Sequence, residues 1–217
     1  MGALVMLLGK SGSGKTSSLR NFAPGEIGIM AVTSKPLPFR GGNGLAIIHN
    51  ADYQTIIDKL SANKCRAYFI DDAGYLMANE NFRRAKEKGY EKFTEMSQNF
   101  QQLLQQAIWT SPDTIVYFTM HTDYNQDGGE KPKVPGKMLE EKYCIEGVCS
   151  AVLNTTVIDG KYVFVTRSDG LTIAKPGGVD SPLPDVMDND LKAVDTMLRE
   201  YWGMKPLIDT NNEIGEQ

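Results

Sequence analysis

Hydrophobic residues fall along this chain in two rhythms. Short unbroken apolar runs bounded by glycine, proline or acids recur at residues 3–8, 27–32, 45–48, 67–70 and 114–120. Runs that short, flanked by breakers, predict buried strands. Between them the period lengthens. Ile56, Ile57 and Leu60 share one face of a helix over 52–60, with Asn50 or Asp52 as its cap. Phe93, Met96, Phe100, Leu103, Leu104, Ala107 and Ile108 recur at three and four residues, while Gln98, Gln101, Gln102, Gln105 and Gln106 fill the other side. That is a long amphipathic helix laid on a sheet, its Met and Phe belonging to the core. The basic stretch 80–92, with Arg83, Arg84, Lys86, Lys88 and Lys92, reads as a solvated helix face. Later, residues 148–158, the turn Asp159-Gly160 and residues 162–166 spell a β-hairpin. Ser168-Asp169-Gly170 turns the chain again, and 188–201 supplies a last helix. The pattern predicts an α/β fold, a mainly parallel sheet flanked by helices with a C-terminal β-hairpin. It covers one domain over 1–205, with a polar, frayed tail over 206–217.

Where the first strand ends, the chain reads Gly9-Lys10-Ser11-Gly12-Ser13-Gly14-Lys15-Thr16-Ser17. This is the G-x-x-x-x-G-K-[ST] phosphate loop in its proper setting, after a strand and before a helix of about two turns closed by Pro24-Gly25. Glycines let backbone N–H groups curl round a triphosphate. Lys15 reaches the β- and γ-phosphates, and the Thr16 hydroxyl is a ligand for Mg²⁺. The expected cofactors are therefore ATP and Mg²⁺. The strand 67–70 then runs into Asp71-Asp72, and an acid at a strand's carboxyl end is what a phosphate-loop enzyme needs to hold its metal. Two segments read as irregular: 33–44, with two prolines and three glycines, lying over the strand ends, and 124–137, polar and flexible.

Composition narrows the picture. Of the 217 residues, 41% are hydrophobic and 23% charged, as in an ordinary folded domain. A net charge of −4 argues against coating duplex DNA through a broad basic surface, yet allows a local basic loop for single strands. Cys65, Cys144 and Cys149 form no C-x-x-C pair and read as reduced thiols of a cytoplasmic protein. No apolar run is long enough to span a bilayer.

Taken together, GKSGSGKTSSL, YFIDDAGYL, FTMHTD, PGKMLEEK and a hairpin closing on VTRSDG give a chain that resembles the short phage-encoded RecA-like ATPases associated with single-strand annealing recombination. The resemblance covers most of the chain. It implies a RecA-like core and ATP hydrolysis coupled to assembly on single-stranded DNA. It also implies a partner single-strand binding or annealing protein. Carried over by residue, Lys15 and Thr16 bind phosphate and Mg²⁺, Asp71 is the metal-associated acid, and His121 senses the γ-phosphate. One departure stands out. The family keeps a catalytic glutamate just after the second strand, where this chain reads Thr33-Ser34-Lys35. Asp72 is then the candidate to activate water, with Glu140 or Glu141 next in line. No finger is obvious in the nucleotide half, so Lys161 or Arg167 of a neighbouring subunit is expected to reach the γ-phosphate in a homo-oligomer. Residues 122–137, with Tyr124, Lys131, Lys133 and Lys137, are expected to hold single strands by stacking and phosphate contacts; the basic residues Arg83, Arg84 and Lys88 are the second choice.

Other readings compete. Lys10 lies five residues before Lys15, as in the positioning ATPases of the ParA and MinD type, although Ser11 stands where that signature has glycine. A small-molecule kinase would need an arginine-rich lid, and the arginines here are scattered. A GTPase would need an acid to read guanine, which Asn63-Lys64-Cys65-Arg66 lacks. A nucleotide-dependent assembly protein without catalysis fits the absent glutamate.

Overall fold

The computed structural model describes residues 1–134 and 142–208. Its centre is β1 (Ala3–Leu8), buried along its whole length. Alternation does the rest: Leu4, Met6 and Leu8 sink into one hydrophobic layer, while Ala3, Val5 and Leu7 sink into the other. A strand apolar on both faces needs cover on both, and the sheet is indeed a sandwich filling between two layers.

The remaining strands are β2 (Gly28–Ala31), β3 (Ile47–His49), β4 (Ala67–Asp71), β5 (Ile115–Met120), β6 (Thr122–Tyr124), β7 (Glu130–Pro132), β8 (Ala151–Ile158), β9 (Lys161–Val165) and β10 (Val186–Asp188). Eight of them form one sheet in the order β10-β9-β8-β1-β5-β4-β2-β3. From β8 to β3 all pairs are parallel; the β8–β9 hairpin and β10 add antiparallel pairs at one edge. Because β5 stands between β1 and β4, the phosphate loop and the acids at the end of β4 face each other across one intervening strand.

Helices α1 (Tyr53–Ala62), α2 (Gly74–Arg83) and α3 (Glu91–Ile108) cover one face. On α3, Met96, Phe100, Leu103, Leu104 and Ala107 are buried in that layer. Each large side chain there contributes about 1.5–3 kcal/mol by leaving water. The other face is covered by α4 (Leu191–Trp202), through Leu191, Val194 and Leu198, together with Leu19 and Phe22 from the segment after the phosphate loop. Asp52 caps α1 by accepting from the Thr55 N–H at 2.9 Å, and Asp190 caps α4.

Several local expectations are corrected. The helix after the phosphate loop is a 3₁₀ helix of six residues, Thr16–Asn21, without a side-chain cap. The basic stretch 80–92 is not one helix. α2 begins directly after the Asp71-Asp72 pair and ends at Arg83, and Gly89, at φ +101°, lies in the turn before α3. Arg84 gathers Glu80, Glu87 and Glu95 into an ion cluster, so part of that charge is spent on structure. Residues 122–132 are not a plain loop: β6 and β7 pair as a hairpin turned by Asn125–Gly129, where the Asn125 N–H donates to the Gly129 carbonyl at 2.8 Å. The strand expected from 148 begins at Ala151, after a single helical turn, Ile145–Val148. β10 was not anticipated. At the C-terminal end, Leu207 still packs against the core, and the Pro206 carbonyl accepts from Arg66 Nη1 at 2.8 Å. Lys137, Glu140, Glu141 and residues 209–217 of the expected tail lie outside the described residues. Among the described residues, no helix is long and apolar enough to cross a membrane.

Candidate phosphate-binding site

Two glycines show why the loop needs its spacing. A Cβ on Gly9 would meet Thr155 Oγ1 at 2.1 Å and the Thr155 carbonyl at 2.6 Å. Gly14, at φ +102°, would bring a Cβ within 2.9 Å of the Tyr162 ring. The loop is thus pressed against β8 and the tip of the β8–β9 hairpin. Ser13 Oγ bonds Thr155 Oγ1 at 2.5 Å, which ties the loop to β8.

Inside the loop, the Lys15 ammonium donates to the Gly9 carbonyl at 2.7 Å and the Lys10 carbonyl at 2.8 Å. Burial pushes its pKa below the ordinary lysine value, against the pull of Asp72 and Asp71. Thr16 follows, and its hydroxyl lies 3.0 and 2.9 Å from the two oxygens of Asp71. Thr119 Oγ1 donates to Asp71 Oδ1 at 3.0 Å and accepts from the Asp72 N–H at 2.7 Å. Burial, and then the charge of Asp72, push the Asp71 carboxyl above its usual value. Burial and a neighbouring acid both disfavour the Asp71 charge, which a cation bound at its oxygens would relieve. Hydroxyl and carboxylate oxygens are the hard donors that suit Mg²⁺, so Thr16 and Asp71 fit the metal that the sequence implies.

Asp72 occupies the left-handed region at φ +60°, the conformation that turns the chain from β4 into α2. Its two oxygens face different partners. Lys35 Nζ is 3.0 Å from Oδ2, and His121 Nε2 is 3.6 Å from Oδ1. His121 meets the Tyr75 ring edge-on at 5.9 Å, and Lys35 lies over the same ring at 5.6 Å. Burial, then Lys15, lower the His121 pKa, so the ring is neutral at pH 7. Ser11, Gly12, Gly14, Lys15, Thr16, Ser17, Lys35, Asp71, Asp72, His121 and Tyr162 all border one cleft of about 390 Å³. It lies beyond the carboxyl ends of the parallel strands, where sites of open α/β sheets form.

Lys10 turns its ammonium away from this cleft, 5.3 Å from the Tyr124 ring centroid. Arg167 pairs with Asp185 at 2.7 Å beyond the end of β9 and just before β10, and does not border the cleft of its own chain. Three participants escaped sequence reading. Thr119, next to last on β5, is two residues before His121 just past the strand's end, a spacing of two that could have flagged it. Tyr162 sits at a hairpin tip, with no local sign of what it faces. Lys35 drew notice only as the place where a glutamate is missing. Among the described residues Cys65, Cys144 and Cys149 are all reduced thiols, and no group of three or more His, Cys, Asp or Glu is placed to hold a metal.

No protein-family profile and no curated protein matches the sequence. Among solved structures, the fold is similar to a prototypical ATPase from the type III secretion system of pathogenic bacteria. The match has a TM-score of 0.46 and 11% identity, over 72% of this chain and 51% of that one. This chain spans about half the length of that ATPase.

Proposed function

We propose that the protein is a Mg²⁺-dependent ATPase that acts on single-stranded DNA in phage-type recombination or annealing, as a homo-oligomer alongside a single-strand binding or annealing protein. The observation that carries the chemical half is the convergence of the Lys15 ammonium, the Thr16–Asp71 pair and the Asp72 carboxylate on one cleft. In this reading Lys15 meets the β- and γ-phosphates, and loop N–H groups bind their oxygens. Mg²⁺ held by Thr16 and Asp71 would supply further neutralisation of phosphate charge. Asp72 accepts the proton of the attacking water, aimed by its left-handed backbone and paired with Lys35 at 3.0 Å. His121, neutral and 3.6 Å from Asp72, is placed to register the γ-phosphate.

The DNA half rests on the resemblance and on the β6–β7 hairpin. Lys133 is exposed, Tyr124 is 44% exposed, and the Lys133 N–H donates to the His121 carbonyl at 2.7 Å. Phosphate release measured with single-stranded DNA, duplex DNA and no DNA tests the whole. Stimulation by single strands alone is expected, and Lys15→Ala should bind no Mg-ATP in calorimetry while remaining folded. Unchanged nucleotide affinity in that variant would refute the assignment. A nucleotide-dependent assembly protein, including one of the ParA and MinD type, is the second reading. It is favoured by the ion pair that already occupies Asp72. A slow rate indifferent to DNA, with ATP-dependent oligomerisation, would select it.

A further inference from the structure

Phosphoryl transfer is accelerated by a positive group beside the γ-phosphoryl in flight, in addition to the loop lysine, and the sequence suggests no such group within the nucleotide half. The structure supplies one. We propose that Lys35 is the cation that meets the γ-phosphoryl oxygens in the transition state, acting within its own chain. It does so by moving from the Asp72 carboxylate to the phosphate. This inference rests on the ATPase reading above.

Position is the first support. Lys35 borders the same cleft as Lys15, Asp71, Asp72 and His121, and its ammonium is 3.0 Å from the oxygen of the candidate base. A cation that close to the group receiving water's proton is within one side chain's reach of the phosphorus under attack. Freedom to move is the second. The Lys35 side chain is 67% exposed, whereas Asp72 is 9% exposed. Leu37 and Phe39 of the following loop pack against the core, so the movement is that of the long lysine side chain itself. Charge is the third. In the cleft Lys15 and Lys35 balance Asp71 and Asp72, and a bound γ-phosphate offers Lys35 a more highly charged partner than the single carboxylate it leaves. The lysine stands where the resemblance expects a catalytic glutamate, so the site carries its second acid on β4 and its cation on the loop after β2.

In the step itself, the water oxygen bonds to the γ-phosphorus and the bond to the β,γ-bridging oxygen breaks. The water proton passes to Asp72, and ADP and inorganic phosphate leave. Lys35 forms no bond. It pairs with the equatorial oxygens as their charge redistributes, and its departure leaves Asp72 able to accept the proton.

Lys35→Ala and Lys35→Arg test this against the parent protein, with two readouts. Calorimetry with ADP, and with ADP plus fluoroaluminate and Mg²⁺ as a transition-state mimic, is independent of turnover. Lys35→Ala should bind ADP as the parent does and lose most of the extra affinity for the fluoroaluminate complex. Its kcat should fall about 100-fold or more with little change in KM, as when a charge-stabilising donor is removed. Lys35→Arg should recover part of both. Parent-like or raised kcat in Lys35→Ala, with an intact fluoroaluminate complex, would show that the lysine only restrains Asp72 and would overturn the inference. So would recovery of activity on mixing Lys35→Ala with Lys15→Ala subunits, since the cation would then act between chains. A parent protein that binds neither ADP nor ATP would instead bring down the ATPase reading itself, and this inference with it.

Discussion

In the proposed reaction the roles of Asp72 and His121 can be tested one side chain at a time. Asparagine tolerates the left-handed backbone that Asp72 adopts, so Asp72→Asn removes the charge without straining the turn into α2. Turnover should vanish in that variant while Mg-ATP affinity survives, a loss in kcat rather than KM under steady-state assay. His121 carries a pH signature. Its folded pKa lies below the ordinary 6.5 because burial and Lys15 disfavour the imidazolium. Between those two values the unfolded chain holds more protons than the folded one, so stability rises with pH across that window. The contribution of neutral His121 is complete above about 6.5 and lost as pH falls below it. An NMR titration of the ring should give a value under 6.5, and His121→Asn should flatten the acid side of a stability profile taken in denaturant. Lys15, Thr16 and Asp71 were legible because strand, loop and acid announce themselves locally. The contacts of Asp72 were not. Lys35 is 37 residues away in sequence and His121 follows a different strand, β5, and no periodicity encodes a meeting made by the order of the sheet.

Elements with one continuous face were read correctly, and those built from mixed signals were not. α1 and α3 declare themselves by spacing. α2 hides because Gly74 opens it and Asn79 and Asn81 dilute its apolar stripe, although Leu76 and Met77 are buried. The β6–β7 hairpin hides because its strands are three residues each and, apart from the buried Pro132, its partly buried groups are polar. Glu130 accepts from Asn154 on β8, and the Glu130 N–H donates to the Leu171 carbonyl at 2.8 Å. That anchoring gives the hairpin a defined route to the site, since β6 follows His121 directly and Lys133 closes a backbone bond on it. If single strands lie on this hairpin, replacing Lys131, Lys133 and Lys137 with alanine should weaken binding and flatten its salt dependence, as fewer counterions are released. Fluorescence anisotropy of a labelled oligonucleotide at several salt concentrations measures both. Parent-like affinity and slope would move the contact elsewhere, to Arg83 or Lys88 first.

At the scale of the molecule, the chemistry and the mechanical fastening sit at opposite ends of one sheet. The cleft occupies the carboxyl ends of β1, β4 and β5. At the amino ends, Arg199 of α4 donates to the carbonyls of Asp113 at 2.7 Å and Arg66 at 2.5 Å, the residues leading into β5 and β4. It also pairs with Asp195, which accepts from the Tyr117 hydroxyl at 2.8 Å. Arg199 and Asp195 are 3% and 0% exposed, so neither charge has water to fall back on. Removing the arginine leaves the buried Asp195 carboxylate without its counter-charge and takes a donor from the carbonyls of Asp113, Lys205 and Arg66, and Arg199→Ala should cost about 3–5 kcal/mol of folding stability. Ligand linkage separates this effect from catalysis. A nucleotide at 100 times its Kd stabilises the folded state by about 2.7 kcal/mol whatever the starting stability, provided the site is intact. Denaturant unfolding of Arg199→Ala should therefore show a lowered midpoint without ligand and the parent's full increment with saturating Mg-ADP. A reduced increment would mean that the amino-end clamp also shapes the cleft, coupling the two ends through β4 and β5.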